Sequence, residues 1–336
     1  MIYFAIHFML TEDKYMPTNS NLQMSRACKT DEFYTQLSTI EDELWHYREY
    51  FDGKTVFCNA DDPAIGEDGC DHLGDNLGGY TSNFFRYFQL NFHKLNLKKL
   101  ITTHYVSSGA SYKFEIVSHD KGIQIGLPEY IKTPLQGNGD FRSPECLEIL
   151  KECDIVVTNP PFSLMKEYLP LLIENNKQFI ILGNVNHITL SEVKPFLLQE
   201  KFWLGYNSGH FWFRVPDYYD AKNTDYKQDE RGQKWRRMGN SCWFTNLDLP
   251  KRHIALDLYR HYNAESYPKY DDFDAIECGA YKEIPDDYYG IIGVPITYLP
   301  YHCADQFEII EIVTPKVNSK SKYKRLLIRR KIKNDN

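Results

Sequence analysis

The chain of 336 residues is 42% hydrophobic and 25% charged, which is typical of a folded globular protein and excludes an intrinsically disordered one. No apolar run approaches the ~18 residues that a membrane-spanning helix needs, and the apolar start over residues 1–10 lacks the basic leader and cleavage site of a secretory signal. The net charge is −7, but the last 21 residues hold nine basic side chains and one acidic one, so this acidic chain carries a basic strip near its end.

The first quarter of the chain is predicted to contain a leader, two helices and a strand. Residues 1–29 are polar after the first ten and predict a loosely ordered leader. Apolar side chains at helical spacing predict a helix over about residues 37–51, and β-forming residues predict a buried strand at 54–59. The Gly- and Asp-rich stretch 61–80 lacks the EF-hand pattern of a calcium site, and we interpret it as an acidic loop. An amphipathic helix with an aromatic face is predicted over residues 83–95.

The middle of the chain alternates short apolar strands with helices. From residue 37 to residue 200 this alternation predicts an α/β fold in which a parallel sheet has helices on both faces. Beyond residue 200, segments rich in Trp, Phe and Tyr predict antiparallel strands without a sharp boundary. The predicted elements of the middle region are strands at 100–106, at 114–117 with a hairpin partner at 122–125, at 154–158 and at 178–182, and helices at 143–151 and 163–174.

The segment with the clearest chemical content is Asn159-Pro160-Pro161-Phe162, directly after the predicted strand at 154–158. With its usual substitutions allowed, such a tetrapeptide arises by chance in about one in a hundred chains of this length and ordinary composition. Open α/β sheets bind their ligands at the carboxyl ends of their strands. The segment is therefore a candidate site, and a rigid Pro-Pro turn followed by a core Phe is the alternative.

The four residues together suit an exocyclic amino group on a flat ring. Two consecutive prolines fix φ and remove two backbone donors, which leaves rigid carbonyls. The Asn159 amide oxygen and the Pro160 carbonyl can accept both hydrogens of one amino group. Phe162 offers an apolar face on which a nucleobase can stack. A base extruded from its helix fits this description.

This segment resembles the motif of the amino-methyltransferases that use S-adenosylmethionine, in which D/N-P-P-Y/F marks the N6-adenine class. Other segments are similar to the EcoRI-type adenine-specific DNA methyltransferases, and the resemblance covers about residues 30–332. It implies a Rossmann-like methyltransferase sheet with helices on both faces, followed by a C-terminal β-rich target-recognition region. The similar segments lie at residues 30–36, 58–63, 82–88, 139–143, 293–299 and 323–328.

The resemblance also implies an organisation and a reaction. The leader over 1–29 precedes a catalytic and cofactor-binding core over 30–200, and residues 201–336 supply the remaining sheet strands, the target-recognition region and the basic C-terminal segment. The reaction is methyl transfer from S-adenosylmethionine to the N6 amino group of a flipped adenine in double-stranded DNA, as in restriction–modification systems. Such a system implies a restriction endonuclease that acts on the same site, although this sequence does not encode whether one exists.

Carried over residue by residue, the resemblance implies a catalytic set and a cofactor-binding set. The catalytic set takes the target adenine and is Asn159, Pro160, Pro161 and Phe162. The cofactor-binding set holds S-adenosylmethionine at its methionine end through Phe33, Tyr34, Thr35, Asp61 and Asp62, and at its adenine through Asp140, which accepts from the amino group, and Phe141, which packs on the ring.

The sequence departs from the family pattern in three places. A Gly-x-Gly loop normally follows the first strand, whereas residues 59–63 read Asn-Ala-Asp-Asp-Pro, as they do in EcoRI-type members. The acidic residue expected after the second strand is replaced by Thr103-His104-Tyr105, so recognition of the ribose is unassigned. The Gly- and Asp-rich stretch 64–81 resembles an insertion beside the pocket.

Two other functions stay open at this level. Related NPPY/F enzymes modify RNA bases or protein glutamine, and a methyltransferase-like fold without activity can serve as a DNA-binding module. Eight cysteines without a C-x-x-C pair or zinc-ligand spacing predict reduced thiols, a cytoplasmic protein and no metal.

The groups that contact DNA are the least determined by the sequence. Part of the basic strip at 316–333 is expected to touch phosphates, while Leu326–Ile328 hold it as a terminal strand; a solvated tail is the alternative. The candidates for reading bases lie in a predicted surface loop and are Lys234, Arg236, Arg237 and Asn240.

Overall fold

A computed structural model of the chain describes residues 34–61, 82–106, 109, 111–118, 128–215 and 225–331. These residues form a ten-stranded mixed sheet, a four-stranded sheet and a small two-stranded hairpin. The strands of the ten-stranded main sheet are β1 (Tyr34–Thr35), β2 (Thr55–Cys58), β3 (Lys99–Thr103), β4 (Tyr112–Val117), β5 (Glu129–Pro134), β6 (Ile155–Thr158), β7 (Gln178–Asn184), β8 (Trp203–Arg214), β9 (Tyr226–Gln228) and β10 (Lys234–Thr245).

The main sheet is parallel at its centre and antiparallel at both sides. Its order is β1-β8-β10-β7-β6-β2-β3-β4-β5, with β9 paired to β10. The pairs β3–β2, β2–β6 and β6–β7 are parallel, and every other pair is antiparallel. The central strands are buried on both faces, which explains why they read as short unbroken apolar runs. The predicted α/β fold with a parallel sheet is confirmed.

Helices cover both faces of the main sheet. One face carries α1 (Leu37–Leu44), which continues as a 3₁₀ helix to Phe51, and α2 (Asn83–Asn91). Their aromatic and aliphatic side chains form one core with alternate residues of the central strands. The other face carries α3 (Pro144–Glu152), α4 (Met165–Glu174) and α5 (Lys194–Leu198). None of the helices within the described ranges is long and apolar enough to cross a membrane.

The C-terminal third adds a second sheet on the α3 and α4 side. It has the order β11-β12-β16-β13, and its apolar residues share one core with those helices and with the main sheet. A small hairpin of two further strands precedes β16. The strands are β11 (Ala275–Glu277), β12 (Ile291–Pro295), β13 (Phe307–Val313), β14 (Lys316–Val317), β15 (Lys320–Ser321) and β16 (Arg325–Arg330).

Part of the basic strip belongs to the second sheet, and its phosphate contacts stay a prediction. Leu326–Ile328 lie buried in β16, which confirms the expected terminal strand. Arg325 in the same strand is buried and forms a salt bridge with Glu277, and Arg329 forms one with Glu308. Arg325 therefore stabilises the second sheet, because its guanidinium group is buried against its carboxylate partner, whereas Arg329 is exposed.

At one edge of the main sheet the predicted hairpin was wrong. Strand β4 pairs with β5 over residues 129–134, whereas the expected partner at 122–125 lies outside the described residues. Four of the six residues of β5 have exposed side chains, and prolines stand at positions 128 and 134. An edge strand of this kind has no apolar pattern by which the sequence could reveal it.

At the opposite edge, four strands extend past the body of the sheet and form what we call the arm: residues 34–35, 209–214, 226–228 and 234–240. The arm begins where β10 ends its pairing with β7, at Ser241 opposite Asn184, and β8 continues alongside β10 up to Arg214. Below the arm, the buried Glu43 carboxylate accepts from the main-chain N–H groups of Tyr206 and Asn207, both over 2.7 Å. This contact fixes β8 against α1.

The predicted surface loop around Lys234 was also wrong. Lys234, Arg236 and Arg237 lie in strand β10, and Asn240 lies at an irregularity of that strand with φ +58°. The predicted leader at 1–29 and the Gly- and Asp-rich stretch 64–81 lie outside the described residues. The six cysteines within the described ranges are free and buried.

Candidate functional site

Side-chain hydrogen bonds join the carboxyl ends of the parallel strands β2, β3 and β6. The Thr103 hydroxyl donates to the Asn59 side-chain oxygen over 2.8 Å, and the Thr158 hydroxyl donates to the Asn59 main-chain carbonyl over 2.9 Å. The Ala60 N–H donates to the Thr103 hydroxyl over 3.0 Å. Asn59, Thr103 and Thr158 are all buried, so these bonds form in a medium of low dielectric where each is strong. We call these three residues the strand-end cluster.

The Asn-Pro-Pro-Phe segment begins one residue beyond the strand-end cluster. Asn159 is half-buried, Pro160 is buried and Pro161 is exposed. Phe162 starts a 3₁₀ turn that leads directly into α4 at Met165. The chain therefore passes from strand to helix with a very short connection, and the two prolines hold Asn159 at the carboxyl edge of the sheet.

Phe162 rests against a buried histidine. Its ring meets that of His187 edge to face, with ring centroids 5.2 Å apart. His187 Nδ1 accepts from the Asn184 main-chain N–H over 3.2 Å, and the Asn184 side chain accepts from the N–H of Asn186. Burial lowers the pKa of His187 to about 4, so the imidazole is neutral at physiological pH. The pair positions Phe162 beside the end of β7.

The loop that carries Asp140 and Phe141 is bound to the chain beyond β3. Gly139 has φ +81°, and a Cβ at this position would lie 2.0 Å from the His104 carbonyl oxygen, so only glycine fits. The Val106 N–H donates to the Asn138 carbonyl over 3.0 Å. Ser111 also donates to the His104 carbonyl. These contacts place Asp140 next to the carboxyl end of β3.

Arg142 donates three hydrogen bonds to the Asp140 carboxylate. Its side chain donates to both Asp140 oxygens, over 2.9 and 2.7 Å, and its main-chain N–H donates over 2.8 Å. These hydrogen bonds hold the pKa of Asp140 below its usual value, so the group is ionised. A carboxylate offers about four acceptor sites, and three are used here. Among the described residues no donor fills the fourth site, which lies on Asp140 Oδ2.

Phe141 connects this loop to the strand-end cluster. Its ring packs edge to face on the buried Tyr168 of α4, with centroids 4.9 Å apart. The Tyr168 hydroxyl in turn interacts with the Asn59 side chain, and burial raises the pKa of that hydroxyl well above its usual value. The structure thus brings Asp140 and Phe141, Asn59 and the residue before Asn159 into one connected set.

The N-terminal residues predicted for the cofactor reach the same edge from the arm. Tyr34 and Thr35 form β1, which pairs with the end of β8 at Arg214 and Phe213. The Asn83 side chain donates to the Thr35 carbonyl over 2.7 Å. Asp61 is buried and accepts from Ser82, the residue that caps α2. Phe33 and Asp62 lie outside the described residues.

The residues at this edge offer an acceptor, part of a ring and a hydroxyl to a polar ligand. Asp140 has an acceptor site left, and Phe141 offers part of a ring beside it. The Thr35 hydroxyl is buried and lacks a hydrogen-bond partner among the described residues. A buried hydroxyl without a partner costs free energy, which a polar ligand would recover.

The sequence did not single out the residues that support this site. Thr158, Tyr168 and His187 were not predicted. Asn59 was noted both in the similar segment 58–63 and as part of a departure from the family pattern, and Thr103 only as a departure. Thr103 stands where an acidic residue was expected, and its hydroxyl donates to Asn59. The predicted strand at 100–106 put Thr103 in its interior, whereas the structure ends β3 at this residue and so places it at the ligand edge of the sheet.

Comparison with known proteins identifies what this arrangement is similar to. The family described as adenine-specific methyltransferase EcoRI matches residues 21–336. The type II methyltransferase M.EcoRI of Escherichia coli is 42% identical over 94% of this chain and 97% of its own length. The type II methyltransferases M.MgeORF184P of Mycoplasma genitalium and M.MpnI of Mycoplasma pneumoniae are each 35% identical over 85% of this chain and 84% of their own lengths. No solved structure matches the chain.

Proposed function

The chain belongs to the family of EcoRI-type adenine-specific methyltransferases, and on this premise we propose that it methylates the N6 amino group of adenine at a specific site in double-stranded DNA. In this proposal it is the modification enzyme of a restriction–modification system and works in the cytoplasm, where DNA is accessible. A restriction endonuclease that cuts the same site is the partner such a system requires.

One observation carries the proposal: the Asn-Pro-Pro-Phe segment stands at the carboxyl edge of a parallel strand, next to a second loop with an available carboxylate acceptor. Asn159 is half-buried there, so its amide is reachable but shielded from bulk water. Phe162 is fixed by its contact with His187. An acceptor and a fixed ring suit a flat base with an amino group, and adenine extruded from a duplex has both.

The methyl donor we propose is S-adenosylmethionine, which supplies a methyl group already activated by the positive sulfonium. Asp140 would accept from its adenine amino group and Phe141 would pack on its ring. Tyr34, Thr35 and Asp61 would lie by its methionine end, together with Phe33 and Asp62 from the sequence-based assignment. A negative carboxylate near this end would also attract the sulfonium charge.

The residues of the chain accept hydrogen bonds from the target adenine and align it for the attack. The Asn159 amide oxygen and the Pro160 carbonyl accept the two hydrogens of N6, which favours a tetrahedral nitrogen and stabilises the positive charge that grows there during attack. Phe162 stacks on the base and orients N6 toward the methyl group. The proton that N6 loses passes to water after transfer, so this reaction needs neither a strong base nor a metal.

The experiment that tests this function follows a radiolabelled methyl group. The purified chain is incubated with labelled S-adenosylmethionine and, separately, with duplex DNA, total RNA and a protein extract, and the product nucleosides are separated by chromatography. We expect label in N6-methyladenine from duplex DNA and none in the other two substrates. Asn159→Ala, assayed in parallel, identifies background incorporation.

The outcomes separate the alternatives. Label in RNA or in glutamine would replace DNA as the substrate while keeping the enzyme class. Binding of DNA without any transfer, by a folded protein that also binds S-adenosylmethionine, would contradict the enzymatic proposal and leave a binding module.

A further inference from the structure

One face of the arm carries three cations and two tryptophans, and the other face carries apolar core residues together with Arg236. Residues that pair directly across neighbouring strands project to the same face. The register pairs Trp235 with Arg214 and with Lys227, and it pairs Arg237 with Trp212. The first face therefore consists of Trp212, Arg214, Lys227, Trp235 and Arg237.

The opposite face of the arm packs on the protein interior through its apolar side chains, while Arg236 and Tyr226 on the same face are half-buried. Phe213 is buried, and Phe211 and Met238 pack on the same core as α1 and α2. The cationic face consequently points away from those helices. It is turned toward the side of the main sheet on which the second sheet packs.

The cationic side chains of this face are exposed and partly held in place. Lys227 and Arg237 are exposed, and the Lys227 ammonium lies over the Trp212 ring, 4.4 Å from its centroid. Arg237 forms a salt bridge with the exposed Asp225 over 3.1 Å. The Trp235 indole N–H donates to Asp229 over 3.0 Å. A cation stacked on an indole is already extended, so less side-chain entropy is lost when it meets an anion.

The base of the arm is connected through β7 to the segment that contains Asn159. Strand β7 pairs Ile181 with Thr158, and Asn184, three residues further on, pairs with Ser241 at the base of the arm. The seven arm residues 234–240 continue from there for ~23 Å at the usual rise of a strand. The Asn184 side chain donates to the Gly239 carbonyl over 3.0 Å, and Asn184 also holds His187, which contacts Phe162. One chain of contacts thus runs from the base of the arm to the ring beside Asn159.

We propose that the cationic face of the arm binds the phosphate backbone of the DNA duplex beside the adenine that is flipped into the site, with Lys227 and Arg237 as phosphate contacts. This inference rests on the proposed function, because it takes duplex DNA as the substrate. The chain as a whole carries a net charge of −7, so a duplex needs a local cationic surface to approach it. The arm supplies that surface at the edge where the base enters.

The test measures how DNA affinity depends on salt. Each phosphate contact contributes about 0.9 unit to the slope of log affinity against log salt, so Lys227→Gln with Arg237→Gln should lower the slope by about 1.8 units. The matched control is Lys98→Gln with Lys151→Gln, which also removes two exposed cations but at the amino-terminal ends of β3 and β6, on the opposite edge of the sheet. Thermal unfolding and S-adenosylmethionine affinity are measured for each variant.

A third variant predicts a change of the opposite sign. Asp225→Asn releases Arg237 from its salt bridge and removes a negative charge from the arm, so DNA affinity should increase at low salt. The wild-type chain is assayed for methyl transfer in the same preparations, so that failure of the arm proposal can be distinguished from failure of the proposed function. If the wild type methylates DNA but the arm variant keeps the wild-type slope, the arm proposal is wrong and the function stands. If the wild type transfers no methyl group to DNA, the proposed function itself fails.

Discussion

Two buried polar clusters in the described part of the chain are built in opposite ways. The strand-end cluster at the edge of the main sheet uses neutral groups: the amide of Asn59 and the hydroxyls of Thr103 and Thr158. The second sheet instead buries a charged pair, in which Arg325 donates to both Glu277 oxygens over 2.7 and 3.1 Å. The Tyr270 hydroxyl also donates to Glu277, and both ions are at most 9% exposed.

The difference shows how each region uses its polar groups. A buried ion pair offsets its desolvation cost only in a good geometry, so Arg325 and Glu277 hold β16 and β11 in place across the intervening β12. The loss of either partner leaves a buried charge without its main counterion. Neutral hydrogen bonds rigidify the strand ends at little electrostatic cost. We expect mutations in the second sheet to change stability and mutations at the strand ends to change activity.

The largest effect should come from breaking the charged pair. Arg325→Met leaves the buried Glu277 carboxylate with only the partly exposed Lys322 ammonium, 3.9 Å away, and we expect the free energy of unfolding to fall by about 3–5 kcal/mol. Urea unfolding measures this change. The double variant Arg325→Met with Glu277→Met removes both charges and should recover most of the loss. A single variant as stable as the wild type would show that the pair is not what holds β16.

The next effect should appear in catalysis without a matching loss of stability. Asn159→Ala removes an acceptor that acts on N6 in the transition state, and we expect kcat to fall about 10²–10³-fold, or about 2.7–4 kcal/mol. S-adenosylmethionine affinity should stay within a few-fold. Asn159→Asp is the control, because a carboxylate keeps the acceptor and should retain more activity than alanine. Turnover of the alanine variant near that of the wild type would contradict the assignment.

Two buried histidines, one at the site and one in the C-terminal region, make the stability of the protein depend on pH. Burial lowers the pKa of both His187 at the site and His302, whose Nδ1 faces the Tyr298 hydroxyl, from 6.5 to about 4. Because the unfolded chain binds these protons more tightly, stability falls as the pH drops from about 6.5 to 4, by about 3 kcal/mol for each histidine.

His187→Asn and His302→Asn each keep an acceptor but cannot titrate, so each should reduce this acid destabilisation in urea unfolding at pH 7.5 and pH 4.5. Only His187→Asn should also lower methyl transfer at pH 7.5, because Phe162 loses the ring it packs on. Equal activity of the two variants would remove the proposed positioning role of His187.

The smallest effect concerns the methyl donor. Asp140→Ala removes a charged acceptor, and S-adenosylmethionine affinity should fall by about 1.5–3 kcal/mol, or roughly 10- to 150-fold, in calorimetry. Glu167→Gln is the control, because it removes the other carboxylate that Arg142 contacts while leaving Asp140 in place. If Asp140→Ala binds the methyl donor normally, the adenine of that ligand lies elsewhere.

The sequence alone determined what depends on local pattern. Apolar runs of four to seven residues separated by amphipathic segments predicted the parallel centre of the sheet, since a strand buried on both faces must be apolar throughout. The helix predicted at 143–151 is found as α3, because its signals, the Ser143 cap and Pro144 at the first helical position, are local. The Asn-Pro-Pro-Phe segment predicted the site because its rigidity and its acceptors are properties of four adjacent residues.

Only the tertiary structure decided what depends on residues far apart in the chain. Asn59, Thr103 and Thr158 became one cluster because three parallel strands end at the same edge, and His187 supports Phe162 because β7 ends beside β6. Part of the basic strip is buried, because Arg325 pairs with Glu277, which lies 48 residues earlier in the chain. The two faces of the arm arose from pairing, since the register between β8, β9 and β10 decides which cations and tryptophans stand together.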